Sequence, residues 1–135
     1  MNMKLQKYTT EKDTATGLLR IIASRDFSDV KKGDVGGLIK SARNLSHEGA
    51  AWVYDNARVT GDAVVSGSAK ASGNAKVSGN ARVSGDAVVT ANAVVSGNAK
   101  VYGDARVYGH AEVSGDARVY GHAVVYGDAK ASGNA

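Results

Sequence analysis

Ala57-Arg58-Val59-Thr60-Gly61-Asp62 is one copy of a six-residue phrase that runs from residue 51 to residue 135 with no insertion or deletion. Ala117-Arg118-Val119-Tyr120-Gly121-His122 is another. The pattern is Ala, any residue, Val, any residue, Gly, then Asp, Asn or His. Ala and Val two apart point to one side of an extended chain, and the variable residues point to the other. Four residues of each hexad therefore read as a strand. Gly with Asp, Asn or His reads as a corner holding one residue at positive φ, with His110 and His122 in the αL place that Asp and Asn fill elsewhere.

Two-residue links are too short to reverse the chain and bury the same inward pattern again, so the hexads must coil. Three hexads close a triangular coil of about eighteen residues, and successive coils stack as parallel strands ~4.8 Å apart. The expected fold is all-β: a three-sided parallel β-helix, or solenoid, over residues 51–135, behind a small N-terminal β cap over residues 1–50.

An eighteen-residue spacing also fixes which outward residues lie above one another. Face A carries the columns Trp52, Lys70, Val88, Arg106, Val124 and Tyr54, Ser72, Thr90, Tyr108, Tyr126. Face B carries Arg58, Lys76, Val94, Glu112, Lys130 beside the hydroxyls of Thr60, Ser78, Ser96, Ser114 and Ser132. On face C stand Val64, Arg82, Lys100, Arg118 beside Ser66, Ser84, Tyr102, Tyr120. The corner after face A stacks Asn56, Asn74, Asn92, His110 and Asp128, where an Asn side-chain ladder is expected.

Copies such as Val95-Ser96-Gly97-Asn98-Ala99-Lys100 resemble the hexapeptide-repeat family of left-handed parallel β-helices. Left-handed coiling is what the resemblance implies; the period alone gives three sides. The lead-in Arg25-Asp26-Phe27-Ser28-Asp29-Val30-Lys31-Lys32-Gly33-Asp34-Val35-Gly36-Gly37-Leu38-Ile39 is followed by Asn44-Leu45-Ser46-His47-Glu48-Gly49 and Trp52-Val53-Tyr54-Asp55-Asn56-Ala57. Together these are similar to a narrower group of phage and prophage proteins without a settled activity. The wider family includes many acyltransferases, which the resemblance implies are trimers that use a His as general base and bind coenzyme A between subunits.

Composition bounds these readings. The 135 residues include no Cys and no Pro, which excludes disulfides and thiolate metal sites and leaves the coils uninterrupted. No apolar run approaches ~18 residues and Met1 to Lys7 has no signal-peptide core, so no membrane span is expected and a cytoplasmic setting follows. The formal charge of +4 permits anion binding without requiring it.

Ahead of the repeat, Lys4 to Thr10 reads as a short strand, Glu11 to Thr16 as a turn, and the apolar stretch Gly17 to Ser24 as a strand. Asp26 to Asp34 reads as a charged loop, and Gly37 to Ser41 as a returning strand. Their larger side chains suit a cap over the first coil, and Trp52 is placed to pack beneath it. The sequence stops in mid-repeat at Ala131-Ser132-Gly133-Asn134-Ala135. A bare ladder there implies either a piece of a longer repeat or an end covered by another copy.

Three functions fit. The first is a non-catalytic, rigid solenoid that self-associates, with no catalytic residue, metal or cofactor. A second, by resemblance, is a coenzyme A-dependent acyltransferase, with coenzyme A as its cofactor and with His47, His110 and His122 as the available histidines. A third is an anion or nucleotide binder on face C, where Arg82, Lys100 and Arg118 run beside Tyr102 and Tyr120.

Overall fold

In a computed structural model that describes residues 7–47 and 49–133, the hexads close three parallel ladders. Face A pairs Trp52–Val53, Lys70–Ala71, Val88–Val89, Arg106–Val107 and Val124–Val125 in that order. Face C pairs Val64–Val65, Arg82–Val83, Lys100–Val101 and Arg118–Val119, with Lys100 directly opposite Arg118 and Arg82. The chain is thus a three-sided parallel β-solenoid with eighteen residues per coil.

Two local expectations are corrected. The strands are two residues long, as in Lys76–Val77, and not four. Ala and Ser at either side already bend toward the corners, yet the backbone bonding continues there: Ser78 N donates to Val95 O at 2.9 Å and Asn80 N to Gly97 O at 2.7 Å. Nor do Asp, Asn and His hold the positive φ. Gly holds it, as at Gly97 (φ 64) and Gly109 (φ 71), so His110 and His122 do not stand in αL. The Gly is required twice over, because a Cβ on Gly97 would lie 2.8 Å from Gly115 N in the next coil. Where the phrase lacks Gly, Asp55 (φ 56) and Ala91 (φ 59) take the left-handed backbone instead.

Inside, the Ala and Val columns from Ala51 to Val113 are fully buried, and this apolar column is continuous with the cap. Such small side chains give a thin core, so burial and inter-coil backbone bonds must act together.

The cap is an antiparallel meander of β1 (Tyr8–Lys12), β2 (Leu19–Ala23) and β3 (Val35–Ile39). It extends the face B sheet, because β3 lies parallel to Arg58–Val59. Glu11 and Lys12 stay in β1; the turn is tightened instead at Asp13, which accepts from Gly17 N at 2.8 Å and from the Thr16 hydroxyl at 2.6 Å. Lys4 to Gln6 of the expected first strand lie outside the described residues. Trp52 is 1% exposed, with Phe27 edge-on at 5.3 Å and Tyr8 at 6.2 Å.

Cap donors meet the upper carbonyls of the first coil one by one. Leu38 N and Lys40 N reach Ala57 O and Val59 O, and Ala50 N reaches Gly67 O. Between these, side chains take over. Lys7 Nζ donates to Ala51 O at 2.6 Å, Arg20 to Asp55 O at 3.1 Å, and Asn44 Nδ2 to Gly61 O and Ala63 O at 3.2 and 2.7 Å. Asn44 is fully buried and its Oδ1 accepts from Lys40 N and Ser41 N, so all its polar capacity faces the backbone.

Candidate functional site

Face C owes its columns to the ladder, which puts Arg82, Lys100 and Arg118 one above another, all exposed. Among the described residues none of the three side chains has a hydrogen-bond or ion-pair partner. Like charges directly opposite one another destabilise a sheet by up to ~1 kcal/mol per pair, so the column is a local liability that solvent or an anion must relieve.

Tyr102 and Tyr120 stand in the next outward column of the same face, with ring centroids 5.3 Å apart and planes at 9°. The two rings are stacked face to face. On the other side of the cations runs a corner column in which Asn80 Nδ2 donates to Asn98 Oδ1 at 3.2 Å and Asn98 Nδ2 to Asp116 Oδ1 at 3.3 Å. The Asn ladder is therefore longer after face B than after face A, where Asn74 and Asn92 meet at 3.5 Å. A groove of ≈ 520 Å³ lies between this column and the cations, lined by Asn98, Lys100, Asp116 and Arg118. All five side chains expected at the site share face C, but the groove takes two cations and neither tyrosine.

The histidines occupy three unlike settings. His110 is an exposed corner residue. His122 Nδ1 lies 3.4 Å from Asp104 Oδ2, in a groove of ≈ 450 Å³ lined also by Asp86, Val88, Arg106 and Val124. His47 belongs to the cap: its ring stacks on Tyr8 at 4.1 Å and Nδ1 accepts from Lys7 N at 3.1 Å. Burial, then the charges of Lys7 and Arg25, hold His47 below the usual imidazole range. Burial, and after it Arg25, brings the Lys7 ammonium down to about 8, and burial pushes the Tyr8 hydroxyl up to about 12. Glu48 lies outside the described residues. Among the described residues no group of three or more His, Asp or Glu side chains is placed to hold a metal ion, and no helix is long and apolar enough to cross a membrane.

Face A is the surface that sequence reasoning undervalued. Beyond the ≈ 450 Å³ groove it carries another of ≈ 310 Å³ lined by Val88, Thr90, Arg106, Val107, Tyr108 and Val124. Val124 and Tyr126 are 46% and 60% exposed, and Tyr126 stacks on Tyr108 at 5.5 Å. The signal was present: Val88 and Val124 are outward positions filled by apolar residues. At the top of the same face the cap loop covers the equivalent positions, with Phe27 on Trp52 and Asp29 accepting from the Tyr54 hydroxyl at 2.8 Å.

The repeat is similar to a family described as YdcK Beta solenoid repeat, which matches residues 51–67, 75–91, 81–97 and 111–127. These matches and the three parallel ladders identify a β-solenoid repeat. No curated protein is similar enough to the chain to count as a relative.

Proposed function

We propose that the protein is a non-catalytic, rigid β-solenoid that serves as a structural or interaction module and self-associates in the cytoplasm, in the phage-related setting implied by its lead-in segment. The observation that carries this reading is the strip of Val124, Tyr108 and Tyr126 on face A, stacked, exposed and flanked by grooves. Contiguous apolar surface of this kind marks contact sites. Sedimentation velocity across a concentration series tests it. An oligomer is expected that dissociates in Val124→Lys/Tyr126→Lys. An oligomer lost instead in Ala131→Pro/Ser132→Lys would move the contact to the coil edge, and a monomer at every concentration would end the reading. Titration with coenzyme A is expected to show no binding; saturable binding would favour acyl transfer.

A second reading, anion binding on face C, is favoured by a separate observation: three cations in register without a partner. Stacked against each other, Tyr102 and Tyr120 leave no gap for a nucleobase between them, which favours an anion held by charge over a nucleotide held by its base.

A further inference from the structure

Resting on the anion-binding reading of face C, we infer that the ligand is an acidic saccharide, a sugar chain with anionic groups beside free hydroxyls, lying along the solenoid axis. The groove lining selects this class. Lys100 and Arg118 call for an anion, and Arg118 offers a planar fork suited to carboxylate, sulfate or phosphate. Asp116 stands in the same groove and, among the described residues, its side chain accepts a single bond, from Asn98. A carboxylate has further acceptor sites and no donor, so it needs hydroxyl or N–H groups from whatever fills the groove.

An anion without hydroxyls, such as polyphosphate, gives Asp116 nothing and is repelled by it. A hydroxylated anion satisfies both sides at once: its negative group meets Lys100 and Arg118 while a hydroxyl donates to Asp116. Across the face, the hydroxyls of Tyr102 and Tyr120 have no partner among the described residues, which leaves them to further sugar hydroxyls.

The order repeats on successive coils. Asn80, Arg82, Ser84 is followed by Asn98, Lys100, Tyr102 and then by Asp116, Arg118, Tyr120. Each rung is an amide or carboxylate, a cation and a hydroxyl, at a pitch of ~4.8 Å. A pyranose unit in an extended chain is of similar length. An extended acidic peptide, with same-side residues roughly 6.6 Å apart, runs out of register.

The test is titration of the 135-residue chain at low salt with an oligogalacturonate, a neutral malto-oligosaccharide, polyphosphate and oligothymidylate, the anions matched in charge. Oligogalacturonate is expected to bind best, and Lys100→Ala and Arg118→Ala each to weaken it about tenfold, the loss of one charge-assisted contact. Asp116→Asn is expected to weaken oligogalacturonate and tighten polyphosphate, two effects of opposite sign. These are exposed positions, and circular dichroism checks that the variants keep the fold.

Polyphosphate or oligothymidylate binding as tightly as oligogalacturonate, with loss on Lys100→Ala, would overturn the saccharide class and leave the anion reading standing. Equal binding of the neutral sugar would overturn the acidic requirement. Binding of no probe, or binding indifferent to Lys100→Ala and Arg118→Ala, would overturn both.

Discussion

Replacing Gly97 and Gly121 by Ala separates two reasons for a corner glycine. Both have φ 64, so both substitutions force an L-residue into the left-handed region. That costs about 1–2 kcal/mol, offset by ~0.4–1 kcal/mol because Ala has less freedom than Gly in the unfolded chain. Gly121→Ala should therefore lose no more than about 1.6 kcal/mol, since its Cβ would meet nothing within 4 Å. At Gly97 the new Cβ would lie 2.8 Å from Gly115 N and 3.1 Å from Gly115 O, so two coils must move apart.

Overpacking of this kind adds about 1–3 kcal/mol, so Gly97→Ala should lose about 1–3 kcal/mol more than Gly121→Ala. Ala91, at φ 59 in the neighbouring corner column and stacked on Gly73, is a natural case in which one such methyl is accommodated in the fold. The reverse change, Ala91→Gly, should stabilise by a few tenths of a kcal/mol to about 1 kcal/mol. Urea unfolding followed by far-UV circular dichroism gives all three values against the parent chain. Gly121→Ala losing as much as Gly97→Ala would refute the inter-coil clash and leave backbone strain as the sole constraint.

Asn44→Ala should destabilise by about 1–3 kcal/mol, because it takes the acceptor from Ser41 N and leaves the buried Ala63 O and the part-buried Gly61 O without their side-chain donor; a chemical denaturation midpoint equal to the parent's would contradict that role. The cap should also respond to pH. His47 has its folded pKa below the unfolded ~6.5, so stability is complete above about pH 6.5 and falls as the pH drops through the window beneath it. Lys7, at about 8 when folded against 10.5 unfolded, should make stability rise with pH between those values. His47→Asn should flatten the acid limb and Lys7→Met the alkaline one, and unchanged limbs would show that neither group carries the dependence.

The ladders were legible because the period-two alternation in each hexad, joined to corners of fixed length, leaves a single register. Hence Lys100 could be set against Arg118 from spacing alone. The sign of φ at the corners was not, since Gly and its successor both tolerate αL and local preference does not say which takes it. The histidines were assigned to the wrong backbone state for that reason. The cap was legible as strands but not as donors: Lys7 and Asn44 are polar residues without periodic neighbours, and their partners are 44 and 17–19 residues away. Ring orientation was hidden too. Spacing put Tyr102 over Tyr120, but whether their faces meet each other or the solvent depends on side-chain torsions.

Because the cap's side chains hold the place of a further turn of the chain, the register of the solenoid is set from that end. Two rules of spelling then govern it. The interior reads every six residues, while each exposed column reads every eighteen. Excising one hexad would keep the interior grammar and rotate everything downstream by one face, so that the basic line of Arg82 and Lys100 is broken. Excising three would shorten the molecule by one storey and leave every remaining line of side chains intact. Variation in this chain is thus quantised, with one quantum for folding and a threefold larger one for whatever reads its surface.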